Sequence, residues 1–113
     1  MAFRNVHRGA RISPTKVRPV INQIRGKGIE EALALMQMSK RRAAVFIRAA
    51  LQAARANAID VGELSSQQAR RLVVTEARVD SGPTMKRFQP KDRGRAHAIL
   101  KRTSHITVAL DLK

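Results

Sequence analysis

The most informative stretch of this chain is residues 81–102, which have the sequence SGPTMKRFQPKDRGRAHAILKR. Seven charged residues in this stretch are basic and only Asp92 is acidic, while two prolines and two glycines interrupt its few apolar residues. Strand patterns flank it, at Leu72–Val79 and at Thr103–Leu112. The pattern predicts a β-hairpin over 81–102 that reaches about 30 Å beyond a sheet, at about 3.3 Å per residue. Because such a ribbon buries too little apolar surface to offset its ordering entropy, we expect a polyanion to hold it.

The charge of the whole chain supports this interpretation over a flexible, solvated loop. The 113 residues include 23 Lys plus Arg against 8 Asp plus Glu, a formal net charge of +15. An excess of this size repels itself unless a partner neutralises it, and nucleic acid is the leading partner because bound phosphates release condensed counterions. A membrane partner is disfavoured, since no apolar run approaches about 20 residues and Trp and Tyr are absent. The length predicts one domain, residues 1–113.

The sequence does not predict an enzyme, a cofactor or a metal site. The absence of Cys excludes disulfides and thiolate ligands, and the histidines His7, His97 and His105 lack metal-ligand spacing. No two carboxylates pair as acid and base, and no glycine-rich phosphate loop is present. Because aromatic residues make up only 3% of the chain, a base-stacking platform is not expected, and recognition should use phosphates and RNA shape.

The N-terminal third predicts a strand followed by a helix. A strand pattern covers Phe3–Ile12, in which Gly9 is expected to mark a bulge or the strand end. Ser13 and Pro14 have the residue types of an N-cap and a first helical position. Pro19 removes a backbone hydrogen bond, so we expect a local kink there. The buried face of this helix is predicted at Val17, Val20, Ile21 and Ile24.

Two more helices are predicted before the second strand. One covers Ile29–Met38, and the main packing helix runs from Ser39, as its cap, to about Asn57. Residues 60–71 are expected to form a polar connection. The predicted packing face of the main helix consists of Ala43, Phe46, Ile47, Ala50, Leu51, Ala54 and Ala58.

The last strand predicts a sheet with one covered face and one exposed face. Its covered side would carry Ile106, Val108, Leu110 and Leu112, and its exposed side His105, Thr107, Ala109 and Asp111. The predicted fold is therefore α+β, with three helices packed on a small three-stranded antiparallel sheet and a long extended β-hairpin projecting from it.

Cations at two helix starts oppose the helix dipole. Lys16 lies in the first turn of the first helix, and Lys40, Arg41 and Arg42 open the third. A phosphate bound there would turn this cost into a gain, so we expect both starts to be phosphate sites. Residues Arg41, Arg48 and Arg55 repeat every seven positions and predict an exposed ridge, for which a solvated face and RNA contact remain open alternatives.

Four stretches of the sequence resemble the family of bacterial large-subunit ribosomal protein twenty-two. They are SPTKVRPVINQIRGK at 13–27, AARANA at 53–58, GPTMKRFQPKDRGRA at 82–96 and KRTSHITV at 101–108. The resemblance covers essentially the whole chain in the family's order. Two departures are Pro19, where the family usually has a helix-compatible apolar residue, and Asp92, in a bend that is usually more basic.

The resemblance implies a structural protein that binds large-subunit ribosomal RNA early in subunit assembly. In the family, the body lies near the outer opening of the polypeptide exit tunnel and the hairpin forms part of the tunnel wall, near large-subunit protein four and possible nascent chains. Met85 would lie near tunnel RNA together with the hairpin cations. The residues expected to contact RNA are Arg4, Arg8, Arg11, Lys16, Arg18, Arg25, Lys40, Arg41, Arg42, Lys86, Arg87, Lys91, Arg93, Arg95, Lys101 and Arg102.

We therefore expect a non-enzymatic, RNA-binding ribosomal protein that needs no cofactor and is located in the cytoplasm, within the ribosome. The sequence does not separate a bacterial protein from an organellar one. The alternative function is that of a basic DNA-binding protein, of the nucleoid type, that uses the hairpin as a β-ribbon. A membrane-active cationic domain is a weaker alternative.

Overall fold

The structure, a computed structural model, describes residues 3–90 and 96–112, with side chains at 3–86 and 100–112. The elements in chain order are β1 (Phe3–Ala10), α1 (Pro14–Ile21), α2 (Ile29–Met38), α3 (Arg42–Asp60), α4 (Ser66–Ala69), β2 (Leu72–Ser81), β3 (Met85–Pro90), β4 (Ala96–Lys101) and β5 (Ser104–Leu112). No helix in these described ranges is long and apolar enough to cross a membrane.

The body is a three-stranded antiparallel sheet with the order β1-β5-β2, covered on one face by the helices. Alternate residues of the strands and one stripe of each long helix form a single core, which confirms the predicted α+β class. Leu51 of α3 and Leu110 of β5 are completely buried there. Alanines on α3, including Ala50 and Ala54, are also buried and let the helix lie close to the sheet.

The uncovered face of the sheet differs from the prediction. Thr107 and Ala109 were expected to be exposed, but both are buried. The reason is topological: β5 is the central strand, so residues of both neighbouring strands flank its small residues. Leu112, expected in the core, is 42% exposed because it lies at the end of the strand.

Gly9 forms the predicted irregularity in β1. Its φ of +69° lies in the left-handed region that favours glycine. The register with β5 shifts between His7 and Ala10, which identifies a bulge just before the strand ends.

Helix α1 begins as predicted, with Ser13 at the N-cap position and Pro14 first in the helix. The Ser13 hydroxyl does not cap the backbone; it forms a hydrogen bond with the Thr15 hydroxyl at 2.9 Å. The regular helix ends at Ile21, and tighter turns follow, in which Ile24 N–H donates to the Ile21 carbonyl at 3.2 Å. These turns keep Ile24 buried on the same face. The kink at Pro19 stays a prediction.

Helix α2 has the predicted bounds, but the predicted cap of α3 is wrong. The backbone N–H of Ser39 donates to the Leu35 carbonyl at 3.0 Å, so Ser39 closes α2. The N-cap of α3 is Arg41, and the helix continues to Asp60, one turn beyond the predicted end. A serine before an apolar pattern marks a helix boundary without showing which of two adjoining helices it belongs to.

The predicted polar connection contains the short helix α4. Ser65 caps it, since its hydroxyl accepts from Gln68 N–H at 3.2 Å while the Gln68 side chain accepts from Ser65 N–H at 3.0 Å. This reciprocal pair is a capping box, and its Ser-x-x-Gln pattern was present in the sequence.

The β3–β4 hairpin, hereafter the arm, forms a separate antiparallel ladder from Met85 opposite Lys101 to Pro90 opposite Ala96. In the described residues, the core ends at Val79 before the arm and begins again at Ile106 after it. The molecule measures 64 × 25 × 16 Å, and its radius of gyration is 17.1 Å. A compact chain of this length would have a radius of about 13 Å. The arm therefore projects from the body, as the fold class predicted.

Candidate nucleic-acid interface

Three adjoining cavities meet where the starts of α1 and α3 face the base of the arm. The first, of about 440 Å³, and a second of about 310 Å³ lie between body and arm; a third of about 350 Å³ lies between α1 and α3. We call this surface the basic cleft. Its cations are Arg11, Lys16, Arg41, Arg42, Lys101 and Arg102. All six were predicted to contact RNA from the sequence, and the fold brings them together from four separate segments.

Local structure positions the body side of the basic cleft. The buried hydroxyl of Ser104 donates to the Ile12 carbonyl at 2.5 Å and fixes the turn that carries Arg11. The guanidinium of Arg42 lies 5.7 Å from the centroid of the Phe46 ring, close enough for a cation–π interaction. Phe46 in turn meets the His7 ring edge to face at 5.6 Å. The Phe46 ring thus supports Arg42 at the mouth of the cleft.

The positive charge of the basic cleft is not compensated by the described carboxylates. The ion pairs among the described residues join Arg4, Lys27, Arg70 and Arg78 to Glu or Asp, and none of these four cations lies in the cleft. The lining residues of the three cavities include no Asp or Glu. The ion pairs of the described residues therefore neutralise other parts of the surface, while the described lining of the cleft carries only positive charge.

The outer face of the sheet has a balanced charge. Arg4 pairs with Glu76 at 2.9 Å, and Arg78 pairs with Glu76 and Asp80, each at 3.4 Å. These side chains extend across the central strand, which explains the burial of Ala109 between Arg4 and Glu76 in the register. Arg4, predicted to contact RNA, is thus engaged within the protein.

Arg25, also predicted to contact RNA, binds the edge of the sheet. Its Nε donates to the Ala77 carbonyl at 3.1 Å, its Nη2 donates to the same oxygen, and its Nη1 donates to Asn22 Oδ1 at 2.8 Å. These bonds join the turn after α1 to β2. The first role of Arg25 in the structure is therefore to satisfy a backbone carbonyl on an edge strand.

The other predicted residues are distributed over the surface. Arg8, Arg18 and Lys40 are exposed on the body, and Lys86 is exposed on the arm. The backbone of Arg87 lies in β3 opposite Ile99, and its side chain is outside the described part. Three further predicted cations lie outside the described residues: Lys91, Arg93 and Arg95.

The predicted arginine ridge on α3 is not uniformly exposed. Arg41 is exposed and precedes the helix, whereas Arg48 and Arg55 are half-buried. Arg55 lines a groove of about 270 Å³ with Glu30 of α2. The heptad spacing placed the three residues near one line but did not show that neighbouring helices cover its far end.

Two of the histidines have structural contacts. His7 packs against Phe46, and Nδ1 of His105 accepts the backbone N–H of Gly9 at 3.0 Å, which ties the bulge of β1 to β5. Within residues 3–90 and 96–112, no His, Asp and Glu cluster that could hold a metal ion was found.

Sequence reasoning did not single out Leu100 and Thr103 at the base of the arm. Leu100 is 47% exposed and lines the first cavity. Thr103 is buried, and its hydroxyl donates to the Pro83 carbonyl at 2.6 Å. These roles become visible only when the two chain segments that join the arm to the body lie side by side. No local sequence pattern indicates that arrangement.

The fold and the basic cleft define a small, highly basic α+β protein whose surface suits a polyanion. The family model of ribosomal protein L22p/L17e matches residues 5–111. The large ribosomal subunit protein uL22 of Magnetococcus marinus is 54% identical over 88% of this chain and 86% of its own length. The protein of that name from Thermus thermophilus is 45% identical over 100% of this chain and 97% of its own length. The one from Carboxydothermus hydrogenoformans is 44% identical over 97% of this chain and 95% of its own length. The chain belongs to the L22p/L17e family of ribosomal proteins.

Family membership identifies the chain as a structural, non-enzymatic protein of the ribosome. It also agrees with the resemblance found in the sequence motifs.

Proposed function

We propose that this protein binds large-subunit ribosomal RNA as a single domain spanning residues 1–113, with 81–102 as its extended hairpin. The observation that carries the proposal is the basic cleft, whose cations have no described carboxylate partner. Cations held together without counter-charges gain most from phosphates, because each contact releases condensed counterions. The family to which the chain belongs supports ribosomal RNA as the source of those phosphates.

Body and arm have different roles in the proposed mechanism. The body folds around its own core and presents the cations of the cleft in a fixed arrangement. The arm has no described core residue and depends on RNA for its order. By binding RNA along both, the protein joins RNA segments that would otherwise repel one another, which assists early assembly of the large subunit.

The arm is proposed to line the polypeptide exit tunnel of the large subunit. Its length, implied by the 64 Å longest dimension, suits insertion between RNA segments. Large-subunit protein four would be a neighbour there, and a nascent polypeptide would pass the arm. Lys86, Arg87, Lys91, Arg93 and Arg95 would face tunnel RNA, while Arg8, Arg18 and Lys40 would extend the contact on the body.

The proposal is tested by titrating a transcript of large-subunit ribosomal RNA with the protein at several KCl concentrations. The logarithm of the affinity should fall by about 0.7 to 0.9 for each phosphate contact per tenfold increase in salt. An affinity that does not change with salt would refute phosphate binding.

A competition with duplex DNA tests the alternative of a DNA-binding protein. We expect the RNA transcript to displace DNA at equal nucleotide concentration. If DNA of random sequence displaced the RNA, the alternative would replace the proposal.

A further inference from the structure

The basic cleft has one side on the body and one on the arm. Arg11, Lys16 and Arg42 belong to the body, and Lys101 and Arg102 belong to the end of the arm. Four of these cations, all except Lys16, also line the neighbouring cavity of about 310 Å³. A ligand in this part of the cleft would therefore touch body and arm simultaneously.

The junction between body and arm consists of two short segments, residues 82–84 and 102–103, that lie outside both ladders. The body ladder ends with Ser81 opposite Ser104, and the arm ladder begins with Met85 opposite Lys101. Three residues on one side of the junction face two on the other, so it contains an irregularity of the bulge type, a place where ribbons bend. Between the two ladders, Gly82 N–H donates to the Thr103 carbonyl at 2.9 Å.

Space at this junction is also restricted. A side chain at Gly82 would bring its Cβ within 2.5 Å of the Thr103 hydroxyl. That hydroxyl donates to the Pro83 carbonyl at 2.6 Å. Among the described residues, the bond from Gly82 to Thr103 and the bond from Thr103 to Pro83 join the two ladders.

Electrostatic repulsion across the cleft opposes a fixed direction of the arm. Cations of both sides line the same cavities, so they repel one another across the cleft. Salt reduces this repulsion only in part at separations below the Debye length, which is about 10 Å at 0.1 M salt. A bound anion would turn this repulsion into attraction of both sides to one ligand.

We propose that one stretch of RNA backbone is held in the cleft by the body and the arm together, and that this shared ligand fixes the direction of the arm. The inference rests on the proposed RNA binding and adds that the two parts do not contact RNA independently. The phosphates accept hydrogen bonds from Arg42 on one side and from Arg102 on the other. The cleft then acts as a clamp at the base of the arm.

A double-mutant cycle tests the shared ligand. The dissociation constant for a large-subunit ribosomal RNA transcript is measured for Arg42→Gln, Arg102→Gln and the double variant. Both side chains are exposed, so the variants should fold, which a thermal melt verifies. Because the two residues hold the same ligand, the loss in the double variant should be smaller than the product of the single losses by about threefold or more.

The control cycle combines Arg42→Gln with Arg71→Gln, an exposed residue just before β2 at the end of that strand away from the arm. In this control cycle, the loss of RNA affinity in the double variant should equal the product of the two single losses. Multiplying losses in both cycles, with wild-type RNA binding intact, would overturn the clamp and leave the proposed function standing. Absence of RNA binding by the wild-type protein would overturn both.

A distance measurement tests the direction of the arm separately. Because the chain has no Cys, Gln52→Cys on α3 and Gln89→Cys on β3 give two unique sites for nitroxide labels. RNA should narrow the distribution of distances between the labels in the otherwise unchanged protein. RNA should narrow this distribution of distances much less when the labelled protein also carries Lys101→Gln and Arg102→Gln. With the control pair Arg70→Gln and Arg71→Gln, the narrowing should equal that in the labelled protein without these changes. Equal narrowing in both pairs would overturn the clamp.

Discussion

Removal of the arm is expected to leave the body folded. In the described residues the core ends at Val79 and begins again at Ile106, so none of the described side chains at 83–86 and 100–102 belongs to it. Replacing 83–102 by Asn-Gly would close the body ladder with a two-residue turn that suits antiparallel strands. The variant keeps the last ladder pair, Ser81 opposite Ser104, and the bond from Gly82 to Thr103.

The magnitude follows from two opposing terms. Shortening the connection from twenty residues to two reduces the entropy cost of loop closure by up to about 2 kcal/mol. Loss of the bond from the Thr103 hydroxyl to Pro83 costs about 1 kcal/mol. The free energy of unfolding should therefore change by no more than about 1 kcal/mol in either direction.

Urea denaturation followed by far-UV circular dichroism measures this change, since the chain has no Trp or Tyr to report by fluorescence. The same variant should bind RNA weakly and with a smaller salt dependence, because it lacks seven cations. A loss of more than about 2 kcal/mol of stability would refute the reasoning, since it would mean that the arm belongs to the folding unit.

Three other substitutions test the body by urea denaturation. Leu51→Ala removes a completely buried side chain and should lower the free energy of unfolding by about 2 to 5 kcal/mol; the exposed neighbour change Gln52→Ala should alter it by less than about 0.5 kcal/mol. Gly9→Ala places a side chain at a φ of +69° and should cost about 1 kcal/mol; no loss would contradict the bulge. Arg25→Gln removes the bonds to the Ala77 carbonyl and should cost about 1 kcal/mol, and an unchanged stability would show that water replaces the guanidinium.

Elements with a complete local signal were predictable from the sequence. Helix α2 has the predicted bounds, and the face of α1 with Val17 and Val20 is buried as its spacing indicated. Positions that depend on a neighbour were not predictable. Ser39 was assigned to the wrong helix, because both α2 and α3 have a boundary nearby. Thr107 was expected to be exposed. Its burial could not be predicted, because it depends on the central position of β5 in the sheet.

The cations of the candidate site could be predicted from the sequence, but their position together in one cleft could not. Composition and the helix starts marked Lys16 and Arg42, and the basic pattern of residues 81–102 between two strands marked the arm. The packing of α1 beside α3 and the return of the chain through Lys101 bring them into one cleft. The same packing assigns Arg4 to an ion pair on the opposite face. Charge patterns along the chain do not show which cations keep a carboxylate partner after folding.

The most direct measurement compares the salt dependence of RNA affinity in two variants with the same change of charge. One carries Lys16→Gln, Arg42→Gln and Arg102→Gln in the basic cleft; the other carries glutamine at three ion-paired cations, Lys27, Arg70 and Arg78. If the uncompensated cations of the cleft hold RNA, the slope of log affinity against log salt should become shallower by about 2 to 3 in the first variant and hardly change in the second. Equal reductions in the two variants would contradict the account, because binding would then depend on net charge alone.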